Sequence, residues 1–445
     1  MSPLGFILLV VLALTILSVP RRMAVGAFFL ALLCFTNLDK PQFGLIQPAW
    51  RLLLPIGLLR VLIRKEPLTG GMVKMDKLII VYSIIAVVTG TILEGTFGGF
   101  VNRAGKVFDL IGMYFFFRFM IAEENDLRYV LTFIAVLLIP LGVLLFIEKT
   151  QGTNFFSILL KAPLELVIRD GKIRAMGPFQ HPILAGTFCA TCFPLIATLW
   201  WKGKKSKILF VLSTLAILVG IYASNSSGPI MSFIFCLIGF AVFKFRHNMR
   251  TVRWMIVLGL VFLQLVMKAP VWFVLAKIDL TGSSTGWHRA ELIDSALRHF
   301  NEWWLVGTTY TRHWMPTGIE ANLNHTDITN QYIALGVQGG ILLLATFIYM
   351  QITCFRNIGK VLRRNENKPI SFLILPWACG VVQFSHIGTF LSIPFFDQTI
   401  SLVYFIFAVT TFLTINQGPD PINKISNKTF SFDESGMNSF EAKGP

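Results

Sequence analysis

Apolar runs recur along nearly the whole chain, separated by short polar breaks. They fall at residues 4–19, 23–38, 45–63, 78–93, 107–122, 129–147, 181–201, 208–223, 230–243, 254–268, 331–350, 370–391 and 398–414. About 20 apolar residues of helix cover the roughly 30 Å of a bilayer's hydrocarbon. The runs are continuous rather than alternating, which predicts helices and not the strands of a barrel. Only those two structures satisfy their backbone in lipid. The pattern therefore predicts an all-α polytopic membrane protein with about 12 to 13 transmembrane helices over residues 1–414. No internal repeat is visible. Residues 4–19 lack a basic leader and a small-x-small cleavage site, and Pro20-Arg21-Arg22 follows, so a first span is expected and not a removed signal peptide. Residues 415–445 are polar and rich in Ser, Asn, Gly and Pro, the composition of a disordered cytoplasmic tail.

The breaks give an orientation. Arg21-Arg22, Arg64-Lys65 with Lys74 and Lys77, Lys202 to Lys207, Lys244 to Arg253, and Arg356 to Lys368 occupy every second loop. Short basic loops stay in the cytoplasm, which puts the N-terminus outside. The opposite side then holds residues 94–106, 148–180 and a long segment at 269–330. In that segment Ala290, Ile293, Leu297, Phe300 and Trp304 recur at helical spacing, predicting an amphipathic helix with these residues on its apolar face.

Composition narrows the classes. Of the 445 residues 54% are hydrophobic and 14% charged, against about 25% charged in soluble domains. No soluble part is large enough to work alone. The net charge of +16 would suggest nucleic acid in a soluble protein. Here the basic residues sit between spans and read as topology, so no nucleic-acid partner is expected. Cys34, Cys189, Cys192, Cys236, Cys354 and Cys379 lie in or beside apolar runs and read as packing residues, without a disulfide framework.

Three polar features break the pattern on the outer side. Arg103, Lys106, Arg169, Lys172, Arg174, Arg289, Arg298 and Arg312 defy the topological bias. Arginine grips phosphate oxygens with a planar fork, so a bound anion explains their retention. Second, Asn322-Leu-Asn-His325-Thr-Asp327-Ile-Thr-Asn330-Gln-Tyr332 crowds polar groups before an apolar helix. Thr326 or Asp327 is expected to cap that helix, and His325 titrates where a general base is useful. Third, Ser224-Asn225-Ser-Ser-Gly228 makes a polar turn between spans. Acidic residues are scarce there, and Asp327 with Glu320 alone would not hold a metal. Within the spans Asp109 and Arg118 are conspicuous charges, nine apart and so on different faces, for which a structural role is expected.

At this point the chain resembles the O-antigen ligase and O-antigen polymerase superfamily, multispan glycosyltransferases of bacterial surface-polysaccharide assembly. Four patches over about residues 100–390 carry the resemblance, in the family's order: Arg174-Ala-Met-Gly177-Pro-Phe-Gln-His181-Pro182; Ser224 to Gly228; Gly286-Trp287-His-Arg289 through Trp304-Leu-Val-Gly307; and His325 to Tyr332, followed by Gly336 and Gly339-Gly340. Asn225 stands where the family commonly has Arg, and the four residues between His325 and Asn330 resemble the spacing of the polymerases.

The resemblance implies a GT-C-like architecture in the bacterial inner membrane with its site on the periplasmic side. It implies transfer of a glycan from undecaprenyl diphosphate to an acceptor sugar, without metal, nucleotide or other cofactor. The partners would be a lipid-linked oligosaccharide donor, a glycan acceptor, the membrane and other polysaccharide-assembly proteins. Arg174, Arg289 and Arg312 would bind the diphosphate. His325, or Asp327, would take the acceptor proton. His181, Ser224, Asn225, Trp287, Asn330 and Tyr332 would line the substrate site, with Trp303, Trp304 and Trp314 available to stack on sugars. A transporter or flippase of the same class of substrate is the alternative. A membrane scaffold is the third, and it predicts outer basic loops that tolerate charge reversal.

Overall fold

The structure is a computed structural model that describes residues 2–36, 48–161, 166–277, 285–319 and 322–416. The expected tail from residue 417 on, Glu320 and the start of the 45–63 run lie outside the described residues.

In chain order the helices are α1 (Pro3–Ser18), α2 (Arg21–Cys34), α3 (Leu53–Arg64), α4 (Lys74–Glu94), α5 (Phe97–Met120), α6 (Glu124–Gln151), α7 (Phe155–Leu160), α8 (Pro182–Ala197), α9 (Lys204–Ser224), α10 (Ser227–Ala241), α11 (Met249–Val266), α12 (Thr285–Arg298), α13 (Phe300–Trp303), α14 (Gln331–Arg364), α15 (Ile370–Phe390) and α16 (Ile400–Ile415). Each predicted apolar run falls on one of them. Among the described residues seven helical stretches are long and apolar enough to cross a membrane: Lys74–Glu94, Glu124–Gln151, Pro182–Lys202, Lys204–Ser224, Ser227–Val266, Gln331–Arg364 and Ile370–Phe390. The protein is thus an α-helical polytopic membrane protein. Seven falls short of the 12 to 13 expected for a physical reason. Helices α1, α2, α3 and α16 have 16, 14, 12 and 16 residues, so even the longest of these reaches only about 24 Å. Helix α5 is long, but Arg103, Lys106, Asp109 and Arg118 interrupt its apolarity.

Two short antiparallel hairpins depart from the all-α expectation. Strands β1 (Val167–Arg169) and β2 (Lys172–Arg174) turn on Asp170-Gly171, both with positive φ (51° and 69°). That is the backbone a two-residue Asp-Gly turn provides. Strands β3 (Gly318–Ile319) and β4 (Asn322–Thr326) form the second pair.

The core is rich in aromatic rings. Phe28, Phe29, Phe116, Phe117 and Phe405 are almost wholly buried and meet at centroid distances of 5.0–5.8 Å. The intramembrane charges are paired. Asp76 accepts from Tyr114 Oη (2.6 Å), Arg118 Nε (3.3 Å) and the Val73 N–H (2.8 Å), while Arg118 also donates to the Thr69 and Gly71 carbonyls. Asp109 pairs with Arg51. Removing one partner of such a buried pair costs about 3–5 kcal/mol, so these charges hold the bundle together.

By alternation of helix direction the bundle has two ends. One gathers Arg21, Arg60, Arg64, Arg128, Arg364 and their carboxylate or carbonyl partners. The other carries the N-terminus, whose Ser2 Oγ donates to the Leu159 carbonyl, together with both hairpins, the Ser224 turn and the start of α14. Helix α11 buries none of its side chains and stands off the bundle, as a lipid-facing span would.

Helix α14 is broken. Gly339 (φ −166°, ψ 17°) and Gly340 (φ 75°, ψ −173°) leave the helical region. The freed groups are taken up by the preceding loop: the Ile341 N–H donates to the Trp304 carbonyl (2.8 Å), and the Thr308 N–H donates to the Val337 carbonyl (2.9 Å). A Cβ at Gly340 would sit 2.2 Å from the Leu305 oxygen, and one at Gly307 2.1 Å from the Val337 oxygen. Backbone packs on backbone here, and only glycine permits it.

Candidate functional site

The segment Arg174–Gln180 is fastened residue by residue. Arg174, 6% exposed, donates from Nε to the Ser224 carbonyl (3.3 Å) and from Nη2 to Ser226 Oγ (2.6 Å). The Ala175 N–H reaches the Ala223 carbonyl (3.0 Å). Buried Glu148, at the end of α6, accepts from the Met176 and Gly177 N–H groups (3.0 and 2.8 Å). Asn154 donates to the Gly177 carbonyl (2.9 Å), Gln398 to that of Pro178 (2.8 Å), and the Gln180 N–H donates to Asp397 (3.1 Å). His181 then caps α8, its Nδ1 accepting from the Ile183 N–H (3.2 Å). Ser224 Oγ turns back to the Ile221 carbonyl, and Asn225 takes a left-handed conformation (φ 44°, ψ 53°) to end α9. The first two sequence patches are therefore one unit.

The loop after α15 links this unit to the fourth patch. Asp397 and Gln398 hold residues 178–180, while Gln331 Oε1 accepts from the Phe395 N–H (3.0 Å). Asn330, 2% exposed, is the cap of α14: its Oδ1 accepts from the Tyr332 and Ile333 N–H groups (2.9 and 3.2 Å), and its Nδ2 reaches the Leu391 carbonyl. The cap expected at Thr326 or Asp327 is displaced because residues 322–326 are a strand, which moves the helix start to Gln331. Tyr332 lies against Phe347 and Phe390, and its hydroxyl donates to the Ile387 carbonyl.

His325 stands half-buried on β4, Nδ1 3.1 Å from Thr311 Oγ1. That oxygen also accepts from the Thr326 N–H (3.1 Å), and Thr311 is wholly buried. Of the two tautomers, only the one that donates Nδ1–H to Thr311 leaves a lone pair on Nε2. Burial lowers the His325 pKa from its ordinary 6.5, so the ring is neutral at neutral pH. The Asp327 carbonyl accepts from His288 Nε2 (2.9 Å), and Nδ1 of His288 meets Thr317 Oγ1. Arg289 is half-buried on α12. Arg312 spends donors on the Met315 and Pro316 carbonyls of its own turn.

Three of the cations expected on the outer side lie near a carboxylate. Arg103 pairs with Glu94 (3.1 Å), Arg298 with Asp294, and Arg169 lies 3.8 Å from Asp170. Among the described residues no carboxylate forms an ion pair with Arg174 or Arg312. Burial, and then repulsion from Arg169, lower the Arg174 pKa from its ordinary value, while attraction to Asp170 across the hairpin opposes them in part.

The amphipathic helix exists, but its buried face differs from the expected stripe. Ala290, Leu292 and Ala296 are buried, whereas Leu297, Phe300 and Trp304 are 51%, 42% and 46% exposed. The helix stops at Arg298 and restarts at Phe300, which rotates the second half so that Trp303 packs inward, its Nε1 donating to the Ala296 carbonyl (2.8 Å). Trp287 is 50% exposed and Trp314 buried. Glu148, Asp397, Gln398 and Thr311 are absent from the sequence expectations, and nothing in the pattern marks Glu148 or Thr311. The readable signals were the Asp170-Gly171 turn, the polar Asp397-Gln398-Thr399 between apolar runs, and a His299-x-x-Glu302 spacing. The last brings His299, Glu302 and His313 together, with one ligand atom of each within 4.8 Å of the others.

No known family model matches this chain, and no curated protein is significantly similar to it.

Proposed function

We propose that this protein transfers or polymerises an undecaprenyl-diphosphate-linked glycan onto an acceptor sugar at the periplasmic face of the bacterial inner membrane, in O-antigen, lipopolysaccharide or exopolysaccharide synthesis. Arg174 carries the reading: a buried guanidinium at the end of a membrane bundle, held in place by the Ser224–Ser226 turn, with no carboxylate pairing among the described residues. Asp170 attracts it only at a distance, and a lipid diphosphate would supply the direct partner. The short helices α1, α2, α3 and α16, together with α5 and with α10 and α11 as separate spans, would complete a GT-C-like bundle of 12 to 13 spans around it.

In this reading the acceptor hydroxyl attacks the anomeric carbon as the bond from that carbon to the phosphate oxygen breaks. The electron pair leaves on the diphosphate, where Arg174, Arg289 and Arg312 offset the charge. His325 Nε2 takes the acceptor proton, with Asp327 as the second choice, and configuration inverts. His181, Ser224, Asn225, Trp287, Asn330 and Tyr332 would shape the site. Asn330 and Ser224 do so indirectly, since their side-chain oxygens are committed to the helix cap and the Ile221 carbonyl.

The test is purified full-length protein given undecaprenyl-diphosphate oligosaccharide, with product length read by mass spectrometry. Arg174→Ala and His325→Ala are each expected to slow transfer by about 100-fold or more. Undiminished transfer in both variants would overturn the mechanism.

A transporter of lipid-linked substrate is the second reading. The broken α14 favours it, because discontinuous helices often mark transport sites. Uptake into proteoliposomes without any sugar transfer would establish it instead.

A further inference from the structure

Three metal-ligating side chains converge where α12 ends, outside the residues assigned to glycan transfer. His299 precedes α13, Glu302 lies within it, and His313 comes from the turn Arg312–Trp314. His313 Nε2 is 3.0 Å from Glu302 Oε1, and the three ligand atoms lie within 4.8 Å of one another. Ligands of a tetrahedral ion at about 2.0–2.1 Å stand roughly 3.3 Å apart, so the widest pair closes by at most about 1.5 Å on binding.

The outer partners are already in place. The Ser295 carbonyl accepts from His299 Nδ1 (2.8 Å), which fixes the proton there and leaves Nε2 to ligate. Trp314 Nε1 donates to Glu302 Oε2 (2.9 Å), which leaves Oε1 facing His313. Two flat stacks restrain the imidazoles: Trp314 on His299 at 5.6 Å and 15°, and Tyr310 on His313 at 5.4 Å and 8°. Metal-bound histidines characteristically donate their other N–H to such a partner. Glu302 and His313 keep 30% and 40% of their side-chain surface, enough for an ion to enter and retain a water.

We infer that His299, Glu302 and His313 form a binding site for a divalent transition cation of the zinc type. Two imidazoles and one carboxylate suit such an ion, whereas Mg²⁺ and Ca²⁺ prefer all-oxygen shells. The cation clasps the end of α12 to the turn at residues 311–314. Thr311 in that turn holds His325 and the Thr326 N–H, so the ion stiffens the segment bearing His325. The site stands whether or not the protein transfers glycans.

The test uses full-length protein in detergent without a polyhistidine tag, stripped with a chelator and titrated with Co²⁺ and then Zn²⁺. One Co²⁺ per chain is expected, with visible d–d bands that Zn²⁺ abolishes. His313→Ala and Glu302→Gln should weaken binding by more than about 100-fold, and Trp314→Phe, which removes only an outer partner, by about 10-fold. His247→Ala, at the opposite end of the bundle, should bind as the parent does. Wild-type protein with and without Zn²⁺ is compared by hydrogen exchange, which guards against variants that fail to fold. Added protection at residues 299–326 is expected. Absence of Co²⁺ bands in wild type, undiminished affinity in His313→Ala, or unchanged exchange would each overturn the clasp.

Discussion

Two regions at the hairpin-bearing end of the bundle carry the candidate chemistry, and they are built on opposite principles. Around Arg174 polar groups are buried and backbone amides are answered by named side chains: Glu148 for Met176 and Gly177, Asp397 for Gln180, and Gln398 for the Pro178 carbonyl. Around His325 the ring itself is half-exposed and leans on one buried hydroxyl, Thr311, which also serves the buried Thr326 N–H. A buried network resists change because each lost partner strands another polar group in low dielectric. A half-exposed one lets water replace what is lost. The first region therefore suits a fixed electrostatic site, and the second suits groups that must gain and lose protons as substrate arrives.

Four experiments test how far this contrast goes. Glu148→Ala strands two buried N–H groups and should cost about 4 kcal/mol, read as a lower unfolding midpoint in detergent. A loss below about 1 kcal/mol would show that water reaches the region, and the contrast would fail. Gly340→Ala forces a side chain onto a positive φ and against the Leu305 oxygen, with an expected loss of about 3 kcal/mol in the same assay. Thr311→Val should cost about 2 kcal/mol, since water can reach half-exposed His325 but the buried Thr326 N–H is left stranded. A loss as large as that of Glu148→Ala would place both regions in one class.

The smallest effect is in pH. Burial favours the neutral His325 ring, so its folded pKa lies below 6.5, and the stability tied to neutrality is full above 6.5 and lost as pH falls from there through that lower value. Transfer should be flat above pH 6.5 and decline in acid, and His325→Gln should remove that limb. An acid limb unchanged in the variant would assign the base elsewhere.

Much of the architecture could be read from the chain because lipid leaves the sequence few choices. Runs such as 129–147 and 208–223 lie well inside α6 and α9. What failed was whatever depends on a partner remote in sequence. The stripe from Ala290 to Trp304 assumed one continuous helix, but α12 ends at Arg298 and the chain restarts at Phe300, which brings Trp303 inward in place of Trp304. The expected cap at Thr326 or Asp327 gave way to Asn330 because β4 pairs with β3, a contact that periodicity does not encode. Arg174 was visible as a misplaced cation. Its burial was not, since that depends on helices that end some fifty residues away in sequence.

The break in α14 has a consequence for biosynthesis. A membrane helix ordinarily brings its own hydrogen-bond partners into lipid, and so can insert before its neighbours arrive. The first turns of α14 do not, because Ile341 and Val337 bond to the backbone of Trp304 and Thr308. Those residues leave the ribosome earlier than α14 does. The order of synthesis thus delivers the splint before the fracture it must set, and a circular permutant that reversed this order would insert α14 with its backbone open to the bilayer.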